Sequence, residues 1–174
     1  MSLKKQKLVP EIPKSREKKI SVIRESIPEK KDSGIEFICE IYFSTDISGQ
    51  KQYYCIGLIT ILQFSNLNYE LSVNAIKQKK TIDIIILGLK TKAGYINNSG
   101  PARKKVFFEN LYGKYTINII KQDGSINSAI VDFNIFKKSI KLIDVFLPEK
   151  RNNRKFVKFE IAANKFKYSN EGKL

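Results

Sequence analysis

From Ile35 onward, apolar and polar residues alternate along the chain in short runs that are separated by turn residues. Because the side chains of a β-strand point alternately to its two faces, this period of two predicts half-buried strands. Nothing between the runs is long or regular enough for a core helix, so the sequence predicts an all-β domain. The nine runs are Ile35–Ser44, Tyr53–Phe64, Tyr69–Ile76, Ile82–Leu89, Val106–Glu109, Lys114–Lys121, Ala129–Ile135, Ile140–Leu147 and Phe156–Ala162.

A short motif favours a sandwich over a barrel. Leu111-Tyr112-Gly113-Lys114-Tyr115, followed by the alternating Ile117 and Ile119, resembles the tyrosine corner of immunoglobulin-like β-sandwiches. The resemblance implies an antiparallel Greek-key sandwich of about 7–9 strands, with a tyrosine hydroxyl bound to the backbone of the preceding turn. Since the chain has no tryptophan and both cysteines lie in the first hairpin, an antibody-type domain is excluded. A meander β-barrel is the alternative fold.

The two cysteines are predicted to remain unpaired. Cys39 belongs to the apolar face of the first run, whereas the cleaner apolar face of the second run contains Tyr54 and Ile56 and points Cys55 the other way. Two cysteines are also too few for a disulfide framework. A reducing setting, either cytoplasmic or a virion assembled in cytoplasm, fits this pattern.

Residues 1–34 differ in kind from the rest of the chain. They contain ten basic and five acidic residues, a net charge of +5, together with three prolines and no apolar segment typical of a secretory signal. We predict a flexible basic tail before a β-domain at 35–162, and a C-terminal tail at 163–174. Within the first tail, Ile20, Ile23 and Ile27 have the spacing of a narrow apolar stripe on a short helix that docks on a partner or on the protein's own body.

Charge is the strongest global signal, because 32 lysines and arginines against 17 acidic residues leave a net charge of +15. Such a field attracts polyanions, although an A/T-rich genome also inflates lysine content. The sixteen residues from Lys90 to Lys105 are predicted to form a long loop that contacts a polyanion or an acidic protein, or is simply solvated. The candidate contact residues are Lys90, Lys92, Tyr95, Arg103, Lys104 and Lys105 in the loop, and Lys4, Lys5, Lys7, Arg16, Lys18 and Lys19 in the tail.

Other cations are concentrated at predicted turns. One group contains Lys77, Lys79 and Lys80, and another contains Arg151, Arg154 and Lys155. Because a sandwich brings several of its connections to the same end, these groups predict a basic pole. Lysines far outnumber arginines, which favours non-specific attraction to phosphates over bidentate recognition.

Residues for chemistry are scarce in this sequence. Histidine is absent, so the commonest general base and metal ligand is missing, and two cysteines alone cannot form a zinc site. The glycines at 94 and 100 are six residues apart, with Pro101 and a strand following, which does not match a phosphate-binding loop. We therefore predict a protein that is not an enzyme and uses no metal or cofactor.

The sequence favours a structural or accessory subunit of a large nucleoprotein assembly, of the virion-decoration or ribosome-associated type. In this hypothesis the β-domain and the basic tail dock on an anionic surface, either nucleic acid or acidic protein, without a membrane span. One alternative is a binding module that recognises a carbohydrate, peptide or lipid head group through Lys90–Lys105. Another is a carrier barrel for a small molecule or lipid, with an interior pocket lined by residues such as Phe37, Phe107 and Tyr115.

Overall fold

Nine strands make up almost all the regular structure that a computed structural model describes for residues 34–65, 69–91, 100–151 and 153–169. One 3₁₀ turn, Ala163–Lys165, follows the last strand. The predicted basic tail up to residue 33 lies outside the described residues. The strands are β1 (Phe37–Thr45), β2 (Gln52–Phe64), β3 (Tyr69–Gln78), β4 (Thr81–Thr91), β5 (Gly100–Phe108), β6 (Gly113–Lys121), β7 (Ile126–Asn134), β8 (Ser139–Phe146) and β9 (Val157–Ile161).

Each of the nine predicted runs is a strand, so the all-β prediction is confirmed. Most boundaries differ by one to three residues, and the exception is β5, which begins at Gly100 rather than at Val106. Pro101 and the charged residues after it hide the alternation at the start of this strand. Pro101 is tolerated there because it is only the second residue of the strand.

The strands form one mixed sheet in the order β8-β7-β6-β4-β3-β5-β2-β1-β9, nearly closed into a barrel. Neighbours β4 and β6 are parallel, as are β1 and β9, and β3 meets β5 in parallel at the pair Glu70 and Arg103. The mixed sheet is therefore not clearly the predicted antiparallel sandwich, whereas the barrel alternative is consistent with it. Its strand order is not a simple meander, because β5 lies between β2 and β3. Alternation shows which face of a strand is buried but not which strand lies beside it.

The barrel interior is filled by the apolar faces of the strands. The largest fully buried side chains include Phe43, Ile56, Leu58, Ile84, Ile117, Ile119, Phe133 and Phe156. Cys39 belongs to this main core, whereas Cys55 packs with Tyr42 and Ala162 in a separate cluster. Both thiols are free, as their opposite faces predicted.

A buried asparagine ties β7 to the first residues of β9. The Asn127 side-chain oxygen accepts hydrogen bonds from the backbone N–H groups of Phe156 (2.8 Å) and Val157 (2.9 Å). Its Nδ2 donates to the Arg154 carbonyl at 2.8 Å. Among the strands that the structure describes, β9 pairs only with β1, and this side chain supplies the polar contacts that a second neighbouring strand would otherwise provide.

The chain continues to pack on the barrel after β9. The rings of Phe166 and Tyr168 lie 4.9 and 5.5 Å from the ring of Phe43, measured between centroids. The backbone N–H of Lys167 also donates to the Phe43 carbonyl at 3.0 Å. Packing therefore extends to Ser169, beyond the predicted domain boundary at 162.

Candidate polyanion-binding surface

One end of the barrel concentrates exposed lysines. The strand directions bring to this end the turns at 46–51, 79–80, 109–112 and 135–138 and the segment 162–169. We call it the lysine end. Its exposed lysines are Lys51, Lys77, Lys79, Lys80, Lys114, Lys137, Lys138, Lys165 and Lys167. The Lys77–Lys80 group belongs to it, whereas Arg151, Arg154 and Lys155 lie between β8 and β9 at the opposite end, so the predicted groups do not form one basic pole.

Two carboxylates at the lysine end, Asp46 and Glu109, are engaged within the protein, and a third, Asp132, is the register partner of Lys114. Asp46 accepts hydrogen bonds from the Ser48 hydroxyl (2.6 Å) and from the backbone N–H groups of Gln50 and Lys51. These bonds hold the pKa of Asp46 below its ordinary value, chiefly through Ser48. Glu109 forms an ion pair with Lys51 at 2.7 Å. Within the described residues, no carboxylate is within ion-pair distance of Lys79, Lys114 or Lys137, so these cations can attract an external anion.

The β3–β4 turn holds Lys80 against the start of β6. Lys79 takes a positive φ of 50° in this two-residue turn. The Lys80 ammonium donates to the Tyr112 carbonyl at 2.5 Å and lies 4.4 Å from the centre of the Tyr115 ring. The hydrogen bond and the cation–π contact fix the position of the turn beside Tyr112.

Tyr112 is exposed because its neighbours determine the path of the chain. Leu111 is fully buried, and Gly113 takes a positive φ of 77°, a conformation that favours glycine. The chain turns at Gly113 into β6, and Tyr115 is then buried against Phe133 at 5.9 Å between ring centres. Tyr112 between these anchors remains 55% exposed.

Phe136 is presented by the turn between β7 and β8. The Lys138 N–H donates to the Ile135 carbonyl at 3.0 Å, and the Asn134 side chain accepts a hydrogen bond from the Lys137 N–H at 2.9 Å. This tight turn leaves Phe136 85% exposed, with its ring 6.0 Å from that of Tyr112 in an edge-to-face arrangement. An exposed aromatic pair thus lies among the lysines of three neighbouring turns.

Exposed rings among cations have a defined chemical use. Lysines attract phosphates without regard to sequence, and aromatic rings stack on unpaired bases. The surface formed by Tyr112, Phe136 and the surrounding Lys79, Lys80, Lys114, Lys137 and Lys138 offers both, and we call it the aromatic–lysine surface.

The cations predicted to form one contact loop are separated in the structure. Lys90 lies on β4 and Arg103 to Lys105 lie on β5, so the regular strands take up both ends of the predicted loop. Arg103 and Lys105 are exposed, whereas Lys104 alternates to the other face, opposite Leu58. Glu70 is the register partner of both Lys90 and Arg103 and offsets their charge.

Several predicted contact residues lie outside the described residues, so their predictions stay untested. They are Lys92 and Tyr95 in the loop, the tail cations Lys4, Lys5, Lys7, Arg16, Lys18 and Lys19, and the stripe Ile20, Ile23 and Ile27. In the predicted group of Arg151, Arg154 and Lys155, Arg154 forms an internal ion pair with Glu36 at 2.6 Å. It contributes to the structure rather than to an open cationic surface.

Sequence reasoning missed the aromatic pair. Phe136 stands in Ile135-Phe136-Lys137-Lys138, and Ile135 was placed at the end of a strand rather than in a turn. An aromatic residue followed by two lysines between two strands was the available signal. Its juxtaposition with Tyr112 depends on the pairing of β6 with β7, which the sequence pattern does not contain.

Comparison with known proteins adds no relative. The chain matches no protein-family model, and neither curated proteins nor solved structures give a significant match. The residues that the structure describes hold no group of three or more potential metal ligands. Among those same residues, no helix has the length and hydropathy of a membrane span.

Proposed function

We propose that this protein is a non-enzymatic accessory subunit of a large nucleoprotein assembly, of the virion-decoration or ribosome-associated type, in a cytoplasmic or virion setting. The observation that supports it best is the exposed Tyr112–Phe136 pair among five lysines at one end of the barrel. In this proposal the aromatic–lysine surface contacts single-stranded segments of nucleic acid, and the basic tail adds phosphate contacts.

The aromatic pair favours nucleic acid over an acidic protein as the partner. Lysines alone suit either, since both present negative charge. Two solvent-exposed rings at the centre of the lysines add an apolar stacking surface that unpaired bases fit. The immunoglobulin-like relationship stays a prediction, which the positions of Gly113 and Tyr115 at the start of β6 support.

Binding to a fluorescein-labelled oligothymidylate tests the proposal. Measured by anisotropy, the affinity is expected to fall linearly with salt on logarithmic axes, as cation release from phosphates requires. Lys79→Gln and Lys137→Gln should each lower the slope by about 0.7, the value for one phosphate contact on a single strand.

Ring substitutions locate the contact. Tyr112→Ala and Phe136→Ala should each weaken binding about thirtyfold, the middle of the range for loss of one stacking ring. Phe107→Ala is the matched control, because it removes a ring that is 50% exposed on the outer face of β5. Binding that is independent of salt, or that neither Tyr112→Ala nor Phe136→Ala weakens more than Phe107→Ala does, would contradict the proposal.

Sedimentation of untagged protein from its native source tests the assembly itself. The protein is expected to sediment with a large ribonucleoprotein or deoxyribonucleoprotein complex and to be released by high salt. Sedimentation only as a free monomer would overturn the assembly proposal.

A carrier of a small molecule or lipid is the second candidate function, because the opposite end of the barrel holds an apolar cavity. The other alternative, a module recognising carbohydrate, peptide or lipid head groups through Lys90–Lys105, gains less support, since Lys104 faces away from Arg103 and Lys105.

A further inference from the structure

A cavity of about 560 Å³ opens at the end of the barrel opposite the lysine end. It lies between the first residues of β1 and β3 and the last residues of β2 and β4. Small-molecule sites in proteins commonly have volumes of about 300–1,000 Å³. Its lining includes Phe37, Thr60, Leu62, Leu71, Ile86 and Leu89.

Strand irregularities lie at two walls of the cavity. The pairing of β2 with β5 is interrupted between Ile59 and Gln63, the segment that contributes Thr60, Ile61 and Leu62 to the lining. The pairing of β3 with β4 shifts at Ser72, where β4 carries one extra residue, Leu87. Bulges redirect side chains and bend strands, so both walls depart from the regular sheet where the cavity opens.

Hydrogen bonds hold the irregular wall of β2 in place. The Thr60 hydroxyl accepts from the Ala102 N–H at 2.9 Å and donates to the Leu62 carbonyl at 2.8 Å. The Ile61 N–H donates to the Glu36 carbonyl at 2.9 Å. Because these bonds satisfy the backbone within the irregular segment, the wall is a defined part of the fold rather than a frayed strand end.

The cavity is apolar and reaches solvent. Leu71 and Ile86 are buried in its floor, whereas Leu62 is 66% exposed and Leu89 is 45% exposed at its mouth. Of the residues predicted to line an interior pocket, Phe37 does so, Phe107 lies on the outer face of β5 and Tyr115 lies near the lysine end. An apolar concavity with exposed leucines at its mouth gains free energy when hydrocarbon replaces water.

Charged residues border the cavity. Glu36 binds Lys121 at 2.7 Å and Arg154 at 2.6 Å, and Arg154 also lies 3.8 Å from Asp123, so these four charges balance. Lys90, an exposed residue directly after Leu89, lies beside the mouth with Glu70 as its register partner, and no carboxylate of the described residues is within ion-pair distance of it. Lys90 is therefore the cation that an anionic head group at the mouth can reach, with hydrocarbon within the cavity.

We propose that this cavity binds one alkyl chain of an anionic amphiphile, with its head group at the mouth near Lys90. A free fatty acid and a phospholipid acyl chain share this chemistry. The inference rests on the second candidate function and is independent of nucleic-acid binding by the aromatic–lysine surface.

Titration of the full chain with 11-(dansylamino)undecanoic acid tests the site. We expect saturable binding with one molecule per chain and displacement by palmitate. In a series of saturated fatty acids, each added methylene should lower the concentration needed to displace the probe about fourfold, until the cavity is filled. Displacement by palmitate identifies a free fatty acid as a ligand. Displacement only by phosphatidylglycerol vesicles identifies a bilayer acyl chain as the source.

Matched substitutions locate the binding. Leu89→Gln places an amide at the mouth. It should weaken binding of the dansyl probe about tenfold, because the alkyl chain loses an apolar contact. Ile143→Gln is the control, because Ile143 is 49% exposed on β8, away from this cavity. Leu62→Gln is the second mouth variant if the first does not fold, as judged by circular dichroism. Tyr112→Ala should leave probe binding unchanged.

Absence of saturable binding would overturn the inference. Equal weakening by Leu89→Gln and Ile143→Gln would also overturn it, since binding would then follow general surface hydrophobicity. If oligothymidylate binding fails while the probe binds as described, the nucleic-acid proposal falls and the cavity assignment stands.

Discussion

Glu36 is the residue on which several elements converge at the cavity end. Its carboxylate pairs with Lys121 from β6 and with Arg154, which precedes β9, at 2.7 and 2.6 Å. Partial burial opposes its charge, but hydrogen bonds and charges from the two cations outweigh that effect and hold the pKa of Glu36 below its ordinary value of 4.5. One side chain thus links the start of β1 to two other parts of the barrel.

Glu36→Gln should lower the free energy of unfolding by about 2 kcal/mol at neutral pH, since two partly buried cations lose their counter-charge. Because the pKa is lower in the folded state, the unfolded chain takes up the proton first as pH falls below 4.5. The stability from Glu36 is therefore full above that pH and is lost as pH falls through the folded pKa.

Urea unfolding between pH 7 and pH 3 measures this effect. The difference between wild type and Glu36→Gln should shrink towards zero at the acidic end. Glu149→Gln, at an exposed carboxylate without an ion pair among the described residues, is the control and should change little. A difference for Glu36→Gln that is constant with pH would contradict the assignment.

The two cysteines should be inert while the barrel is folded. Burial raises the pKa of the thiol at both Cys39 and Cys55, so neither forms the reactive thiolate in neutral buffer. Ellman's reagent should therefore detect no thiol in the native protein and both after unfolding in guanidinium. Rapid labelling of one thiol in native buffer would show that its strand opens locally.

At the scale of elements, side chains complete the barrel where strand pairing stops. Strand β9 has five residues, and β1 is its one partner among the described strands. Asn127 supplies three hydrogen bonds to the segment Arg154–Val157, and Asn153 binds both the N–H and the carbonyl of Ile126 at 2.9 Å. We call this junction between the start of β7 and the segment at 153–157 the seam. Amide side chains suit it because each offers both a donor and an acceptor.

Asn127→Ala should lower the free energy of unfolding by about 3 kcal/mol, because it removes three hydrogen bonds and leaves buried backbone groups unsatisfied. Urea unfolding monitored by circular dichroism gives the value. Asn74→Ala, at an exposed position on β3, is the matched control and is expected to have little effect. Equal effects of the two substitutions would mean that the seam does not depend on Asn127.

At the scale of the whole molecule, the two ends of the described barrel carry different surfaces. Lysines and an aromatic pair occupy one end, and the apolar cavity occupies the other. The full chain carries a net charge of +15, with 32 basic and 17 acidic residues. An excess of positive charge destabilises the folded state, because its cations repel one another.

Stability should therefore rise with salt. Between about 10 and 200 mM sodium chloride, the Debye length falls from roughly 30 Å to below 10 Å, and repulsion between surface lysines is screened. Urea unfolding at the two salt concentrations measures the change in the free energy of unfolding. Because urea is uncharged, the denaturant itself does not add to the ionic strength. A fall in stability with salt would show that attractive ion pairs such as Glu36–Arg154 outweigh the repulsion.

The predictable part of the fold was the part encoded locally. Period two located every strand and separated Cys39 from Cys55, because alternation depends only on backbone geometry within one strand. The start of β5 was missed because Gly100, Pro101 and three consecutive cations hide the pattern. At the site, the Lys77–Lys80 group was found in sequence, whereas the Tyr112–Phe136 pair requires the turns before β6 and after β7 to meet.

The sequence by itself determined an all-β body, unpaired cysteines and an excess of positive charge. Only the tertiary structure decided that β5 lies between β2 and β3, that β4 runs parallel to β6 and that the sheet nearly closes. It also decided where the aromatic pair and the cavity form. Strand pairing joins residues far apart in the chain, and each strand's alternation is compatible with many partners, so packing of the whole set selects one arrangement.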